Sequence, residues 1–599
     1  MKKVMKAVLI STSLAVLTCC STEDPFNDYA DSSSVSNNSS NNSSNSSTPA
    51  ASGTAAASVA SSELATFQVA IDQSTAEPAT TVAPYYPDEE DDFSANTFGT
   101  EVNITFNGNN ATYTTADGVS ITANGAHVVA SHGETKGICY VVSGTTDSGS
   151  LTIVGDKKYE VRLNGADITN PDSTALNLLS KKRAYLVLAD GTSNKLTDGT
   201  ASKAEDQKGA LYCKGKLLIG GGSGQLAVYG NYNNGIHSAD YIVLGTGANV
   251  YVKSTANHGV KANDGVYING GVLNVEVSAA GAKGINCESN IQVNGGRTTV
   301  ITTGGGIYED NEAKGAAAVK CDSTFTMNGG ELNVMSTGAG GKGIRASWEA
   351  YINGGTIHAI TTGGTYTSNR DTASPKGIKV GTKNVHGVLD IKGGTVLVRT
   401  SGSGGEGIES KGTLTISDNA IVQVMANDDA INSSSDMYLA GGSITAIGTN
   451  NDGIDSNGNM YISGGTIVAF GASGAETGID IDEQHRLYIT GGNVFGIGGR
   501  ADASIGSTTQ GIVSTTATVS ANSTVTVSDG NTTLATFAMP PYSYNGGSVL
   551  ISAAGMQSGN SYTVNWGSSS TTVTASNSVS SSMGGMGGGG MGGNKGGRW

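Results

Sequence analysis

Gly453-Ile-Asp-Ser456, a short turn, then Met460-Tyr-Ile-Ser-Gly-Gly465 is the phrase that decides the fold, because it returns. It stands again as Gly478-Ile-Asp-Ile481 with Leu487-Tyr-Ile-Thr-Gly-Gly492, and earlier as Gly259-Val-Lys-Ala262 with Val266-Tyr-Ile-Asn-Gly-Gly271 and as Gly343-Ile-Arg-Ala346 with Ala350-Tyr-Ile-Asn-Gly-Gly355. A fixed period marks a solenoid, in which each unit buries its apolar face only against its neighbours. Function in such a chain is sought in columns of side chains that run along the stack.

The period selects the kind of solenoid. Glycine pairs begin at Gly270, Gly295, Gly329, Gly354, Gly393, Gly441, Gly464 and Gly491, with the shorter steps about 23–27 residues. Longer steps mark insertions such as Gly363–Pro375. Within each unit, runs such as Val272-Leu-Asn-Val-Glu-Val277 alternate in polarity, which predicts strands, and the glycine pairs predict the turns between them. No 3.6-periodic apolar stripe appears, so helical repeats are excluded. The fold class is all-β, a parallel β-helix.

Composition agrees: 88 Gly and 9 Pro among 599 residues, 14% charged, formal net charge −16. An acidic chain has no basic excess for phosphates, which argues against a nucleic-acid partner and for a cation or a neutral or cation-bridged ligand. Met1–Lys6 is a basic leader and Ala7–Leu17 an apolar stretch too short to span a bilayer. Leu17-Thr-Cys-Cys20-Ser resembles a lipoprotein cleavage site, with Cys20 the expected lipidated residue and an ordinary secretory signal the alternative. This places the chain as a monomeric bacterial outer-membrane lipoprotein, attached to the membrane only by its lipid, and the acidic Ser21–Asp24 suggests surface exposure. The expected organisation is a signal peptide over 1–20, a Ser/Asn-rich flexible tether with an acidic run over 21–94, and N-terminal β capping over 95–171. The parallel β-helix follows over 172–512, a C-terminal β cap over 513–572 and a Gly/Met-rich disordered tail over 573–599. The run Asp88–Asp92 reads as solvated.

Beyond the leader lie Cys139, Cys213, Cys287 and Cys321. Cys287 and Cys321 hold one slot of consecutive repeats and are expected to stack inside as small apolar residues; a disulfide between their coils stays open. No CxxC pair or Cys/His cluster suggests zinc or redox chemistry.

Alternate residues of a strand face outward, so in Gly-Ile-x-Ser the x position should point to solvent. Coil by coil, x runs His237, Lys261, Asn286, Lys320, Arg345, Lys379, Glu409, Asn432, Asp455, Asp480. Like charges on adjacent coils, roughly 4.8 Å apart, repel by roughly 3 kcal/mol at a dielectric near 20. A bound cation for the acids, and an anionic ligand for the bases, would relieve this. Glu406, Glu409, Asp428, Asp429, Asp452, Asp455, Asp480 and Asp482 are the candidate calcium ligands, hard oxygen donors on successive coils, with Glu476 beside them. Lys261, Lys320, Arg345 and Lys379 are candidate contacts for uronate carboxylates. Tyr438, Tyr461 and Tyr488 should project as an aromatic ladder, suited either to sugar rings or to stabilising the stack.

Tyr140-Val-Val-Ser-Gly-Thr145, Val161–Ile168, Leu186–Gly199 with its Asn-Lys-Leu-Thr-Asp-Gly, Val228–Asn233, the repeats and the Met583–Gly593 tail carry a resemblance. Over roughly residues 95–570 the chain resembles the bacterial carbohydrate-binding β-helix family typified by clostridial cellulose- and polygalacturonate-binding proteins, related in fold to family 9 polysaccharide lyases. The resemblance implies a right-handed β-helix, bound calcium (Ca2+) and a polysaccharide partner. Those lyases use a lysine beside calcium to abstract a proton α to a carboxylate. Here the basic and the richest acidic positions fall in different coils, so no lysine is expected next to a calcium cluster. The expected function is therefore calcium-containing, non-catalytic binding of pectic or cellulosic polysaccharide. A pectate lyase-like enzyme and a structural surface adhesin are the alternatives.

Overall fold

The computed structural model describes residues 61–72, 74, 76–200, 207–500, 505–506 and 508–578. The repeated phrase builds a parallel β-helix. One face is a 15-stranded sheet whose members include Lys342–Ala346, Lys376–Val380, Glu406–Ser410, Ile431–Ser433, Ile454–Ser456 and Ile479–Ile481. The other strands of each coil, such as Met460–Ile462 and Thr466–Phe470, join one continuous 30-stranded sheet that wraps the remaining sides.

The phrase itself explains the coil. Its Ile is buried at Ile431, Ile454 and Ile479 and joins one core cluster that runs from Val102 to Ile512. Its Ser turns inward too, and its hydroxyl is satisfied by the turn it precedes: Ser433 Oγ donates to Ser435 O at 2.7 Å and Ser456 Oγ to Gly458 O at 3.1 Å. The second glycine of the pair takes a left-handed backbone, φ 81° at Gly465, and a Cβ there would stand 2.5 Å from Gly441 O of the coil below. Only glycine serves both needs. The turn asparagines of four successive coils form a ladder, Asn353 to Asn328 to Asn294 to Asn269, each amide donating to the next at 2.9 Å.

Cys287 and Cys321 are register partners on adjacent coils, buried as free thiols. Both ends of the solenoid are closed. Thr100–Asn107 carries the antiparallel Asn110–Tyr113 at one end, and Ser120–Asn124 pairs antiparallel with Ala126–Gly133. At the other, Tyr544–Ser552 lies antiparallel on Asn493–Gly498 and on Ile512–Val519, beside a four-stranded antiparallel sheet.

The segment before the first coil differs from the expected flexible tether over 21–94. Its described residues form a strap across the 30-stranded sheet. Leu64 is buried in a cluster with Met425 and Phe470, Arg399 donates to the Ala65 and Phe67 carbonyls, and Asp72 pairs with Arg297 at 2.7 Å. The acidic run is an anchor and not a solvated loop. Asp91 is fully buried, pairs with Arg183 at 2.8 Å and accepts from Tyr241 Oη. Arg183 also holds Asp88 and Glu90, each at 2.7 Å.

Candidate functional site

The strand register places the x column as the sequence orders it, from His237 opposite Lys261 through Arg345 opposite Lys379 to Asp455 opposite Asp480. Its depth differs from the expectation of a solvent-facing row: His237 and Glu409 are each only 3% exposed. At Glu409 the reason is a second column three residues earlier in the strand, mostly charged in the middle coils, where Lys283, Ala317, Lys342, Lys376 and Glu406 are successive partners. The two columns crowd each other, and the turns beyond x supply a rim of acids, Glu288 on Lys261 at 2.8 Å and Asp322 on Lys320 at 2.5 Å. The sheet face is therefore a charged trough.

At its basic end, Ala317 is the small residue between Lys283 and Lys342, with Lys320 and Arg345 alongside. Among the described residues the Lys283 and Lys342 ammonium groups reach only backbone carbonyls, Gly281 O and Gly340 O. Among the described residues Arg345 forms no ion pair, and its buried Nε has no hydrogen-bond partner. Burial, then Arg345, Lys320 and Lys314, pushes the Lys283 ammonium down to about 8. Burial and the neighbouring cations hold Lys342 well below the ordinary lysine value. Two hairpins stand beside this pocket, Ile307–Glu309 with Glu312–Lys314 and Tyr366–Ser368 with Asp371–Ala373. They are inserted just before Ala317–Cys321 and Lys376–Val380 and are joined by Ala313 N donating to Asp371 Oδ2 at 2.7 Å. Trp348, in the turn that follows the Arg345 strand, is 57% exposed. Sequence reasoning missed Lys283, Lys342, Lys376 and Trp348.

The border between basic and acidic coils is an ion-pair network in which lysines meet two of the acids expected to hold calcium. Lys376 pairs with Glu406 and lies 3.5 Å from Glu409, while Lys379 and Lys411 reach Glu409 at 2.7 and 2.6 Å. Burial raises Glu409, but the three lysines outweigh it and hold it well below the usual carboxylate range. Glu406 and Glu409, expected as metal ligands, thus serve as counter-charges to lysine.

Beyond the border Asp429 and Asp455 have no lysine or arginine partner among the described residues. Asp429 and Asp455 accept from one amide, Asn432 Nδ2, at 3.3 and 2.7 Å. Burial, then Asp455 and Glu406, pushes Asp429 up to about 9. Burial, then Asp480 and Asp452, pushes Asp455 up to about 8. Asp452 accepts from the Thr477 N–H and is raised by burial. Asp480 lies 3.3 Å from Arg500, and the exposed Asp482 caps its own turn by accepting from Gln484 N at 3.0 Å. Asp428 is half-buried on the turn before Asp429, its N–H donating to Gly405 O at 2.9 Å. Among the described residues no three His, Cys, Asp or Glu side chains converge into a cage for a metal. The donor chemistry of Asp429, Asp455 and Asn432 still suits a hard cation: one buried and one half-buried carboxylate, with no lysine or arginine beside them among the described residues, and an amide oxygen between coils.

Tyr438, Tyr461 and Tyr488 face outward in register. They stack on one another, with ring centroids 5.2 and 5.1 Å apart and planes within 8° and 10°. Their faces are turned to each other along the axis, leaving edges for solvent, so the ladder is built to hold coils together more than to receive a sugar face. Cys20 and most of the Gly/Met-rich tail lie outside the described residues. Among the described residues no helix is long and apolar enough to cross a membrane.

Comparison with known proteins points to one class. The family model described as carbohydrate-binding domain-containing protein matches residues 124–283 and 245–404, two overlapping windows within the chain. A carbohydrate-binding domain-containing protein of Acetivibrio thermocellus is 30% identical over 158 residues, 25% of this chain and 52% of that protein. The chain thus matches about half the length of that curated relative. A solved structure of a polysaccharide lyase-like protein from C. thermocellum, in a gadolinium derivative, is 18% identical, with 53% of this chain and 97% of that one covered at a TM-score of 0.28. The kind of family that the sequence resembles, carbohydrate-binding β-helix proteins, is also the kind whose model matches.

Proposed function

We propose that this chain binds an acidic polysaccharide of the polygalacturonate kind in the basic end of its trough, without cleaving it. The observation that carries this is the pocket over Ala317, where Lys283, Lys342 and Arg345 lack an acid partner among the described residues and Lys320 has only Asp322. A uronate carboxylate would supply the missing charge, with Arg345 able to grip it by two parallel hydrogen bonds. Trp348, exposed at the end of the same strand, offers a broad face to the adjoining ring. The family description supports a carbohydrate ligand.

Calcium belongs to the acidic end in this reading. Asp429 and Asn432 on one coil, Asp452 and Asp455 on the next and Asp480 on the one after would hold it. It would neutralise carboxylates that burial otherwise keeps protonated. The chain acts as a lipoprotein anchored through Cys20 at the bacterial outer membrane. One observation favours the lyase alternative: Lys283, at about 8, holds an appreciable neutral fraction near neutral pH and lies among cations that would acidify a uronate α-proton.

The test is retention on polygalacturonate, cellulose and xylan, with and without calcium, while absorbance is followed for unsaturated uronate. Retention on polygalacturonate that Arg345→Ala and Trp348→Ala abolish, with no rise in absorbance, is expected. Rising absorbance lost in Lys283→Ala makes the protein a lyase. No retention on any glycan leaves a structural adhesin.

A further inference from the structure

The 30-stranded sheet carries a cleft on a different face from the charged trough. It opens over Gln225–Gly230, flanked by Ser193–Asp198 on one coil and by Asn249–Ser254 and Val272–Val277 on the next two. Its origin is one residue. In the central outward column Lys195, Ala227, Tyr251 and Asn274 are successive partners, so alanine leaves a gap between two long side chains. Lys195 leans away from that gap, its Nζ 2.9 Å from Asp167 of the preceding coil. Tyr251 forms one wall and Tyr229, two residues beyond Ala227, another, their ring centroids 6.1 Å apart and their planes at 65°. The Tyr251 hydroxyl donates to Glu276, which fixes both groups. Gln225 and Asn249 line the opposite side, and Ile71 of the strap closes one edge. The strap is held there by Asn274 Nδ2 donating to Asp72 O at 3.1 Å. The cleft encloses about 470 Å³, within the usual range for small-ligand sites.

We propose that this cleft is a second saccharide site, for an uncharged, hydroxyl-rich glycan segment. The inference shares the glycan-binding reading above but rests on its own residues. The two tyrosine rings stand nearly edge to face and so do not mask each other as the parallel Tyr438–Tyr488 stack does. That leaves ring surface for the apolar face of a pyranose. Gln225, Asn249 and the Glu276 carboxylate offer the donor and acceptor pairs that vicinal hydroxyls need. Among the described residues the lining holds no lysine or arginine, Lys195 and Lys253 standing in register at its margins, and Glu276 is its one charged side chain, which disfavours a uronate. The two faces thus divide the ligand chemistry: acidic sugar in the trough, neutral sugar here.

The experiment is calorimetric titration of the full chain with cellohexaose, xylohexaose and an oligogalacturonate. Ala227→Arg fills the gap, and Glu276→Gln and Tyr229→Ala are milder variants that leave the backbone undisturbed. The expected result is binding of one neutral hexaose, weakened at least about tenfold by Ala227→Arg and measurably by the milder pair, with oligogalacturonate binding unchanged. Oligogalacturonate binding without any neutral binding overturns this proposal and spares the trough. Neutral binding indifferent to all three variants places the site elsewhere and overturns it. Binding of neither ligand overturns both readings.

Discussion

Ala317→Glu tests the charge argument at its centre. In the wild type, the position between Lys283 and Lys342 carries no charge, whereas Glu406, further along the same column, pairs directly with Lys376. Lys283 sits at about 8 against an ordinary 10.5. At 1.36 kcal/mol per pH unit, that gap puts about 3 kcal/mol of destabilisation on the folded state at neutral pH. The cost is fully present below pH 8, where the folded lysine is charged. Between 8 and 10.5 the unfolded chain keeps a proton that the folded chain has released, so stability rises with pH, and above 10.5 the cost is gone. A glutamate at 317 supplies the missing counter-charge. It should raise stability at pH 6–7 by about 1–3 kcal/mol, flatten the rise between 8 and 10.5, and abolish polygalacturonate retention. Thermal melts across pH, run beside Ala317→Gln as a size control, read the first two effects, and the retention assay reads the third. If glutamate and glutamine act alike, or if glutamate leaves retention intact, the pocket is not an anion site and the reasoning fails.

The acidic end gives the opposite sign. Asp429 and Asp455 sit at about 9 and 8 against an ordinary 3.8, so their contribution is fully present below 3.8 and lost as pH rises through 8 and 9. Melting temperature in chelator should therefore fall across that window, calcium should restore it, and Asp429→Asn with Asp455→Asn should remove both responses; a flat profile with no calcium effect would count against the site. Tyr461→Ala interrupts the ring stack and should cost about 1–2 kcal/mol while leaving glycan retention intact, so lost retention would return the ladder to ligand binding. Arg183→Ala strips the cationic partner from the fully buried Asp91, leaving it the Tyr241 hydroxyl, a change expected to cost about 3–5 kcal/mol. It should expose the strap at 76–96 to limited proteolysis while the coils stay intact, and unchanged protease resistance would show that the strap is held by other contacts.

The column order was legible because two regularities combine. Strand residues alternate, and parallel coils stack in fixed register, so ten x positions could be aligned from His237 to Asp480 by text alone. Depth was not legible, since it depends on the neighbouring column. Yet a signal existed: Lys-Gly-Ile recurs at Lys283, Lys342 and Lys376, and gives way to Glu-Gly-Ile at Glu406. That one switch of residue before the glycine marks the ion-pair border. The tyrosine ladder was placed outward correctly, but its ring orientation follows from the inter-coil repeat of roughly 4.8 Å, which brings identical rings into contact. The strap and the Ala227 cleft left no trace in the pattern. The strap has no period, and a gap made by one alanine is visible only when its neighbours in space are known.

The arrangement of charge carries one more step. A stack selected for stability alone would alternate lysine and glutamate from coil to coil, since each like-charged contact costs roughly 3 kcal/mol. This chain alternates only at the border, where Lys376, Lys379 and Lys411 satisfy Glu406 and Glu409. Among the described residues Lys283, Lys342 and Arg345 form no ion pair on one side, and Asp429 and Asp455 form none on the other. Each flank thus favours a counter-ion of opposite sign, and a ligand that binds only the folded coil adds its binding free energy to the stability of that coil. In a solenoid each coil touches only its neighbours, so the neutral border keeps the two effects local. Segregated charge along one column is therefore a physical form in which a repetitive fold could hold the two proposed binding chemistries on a single face.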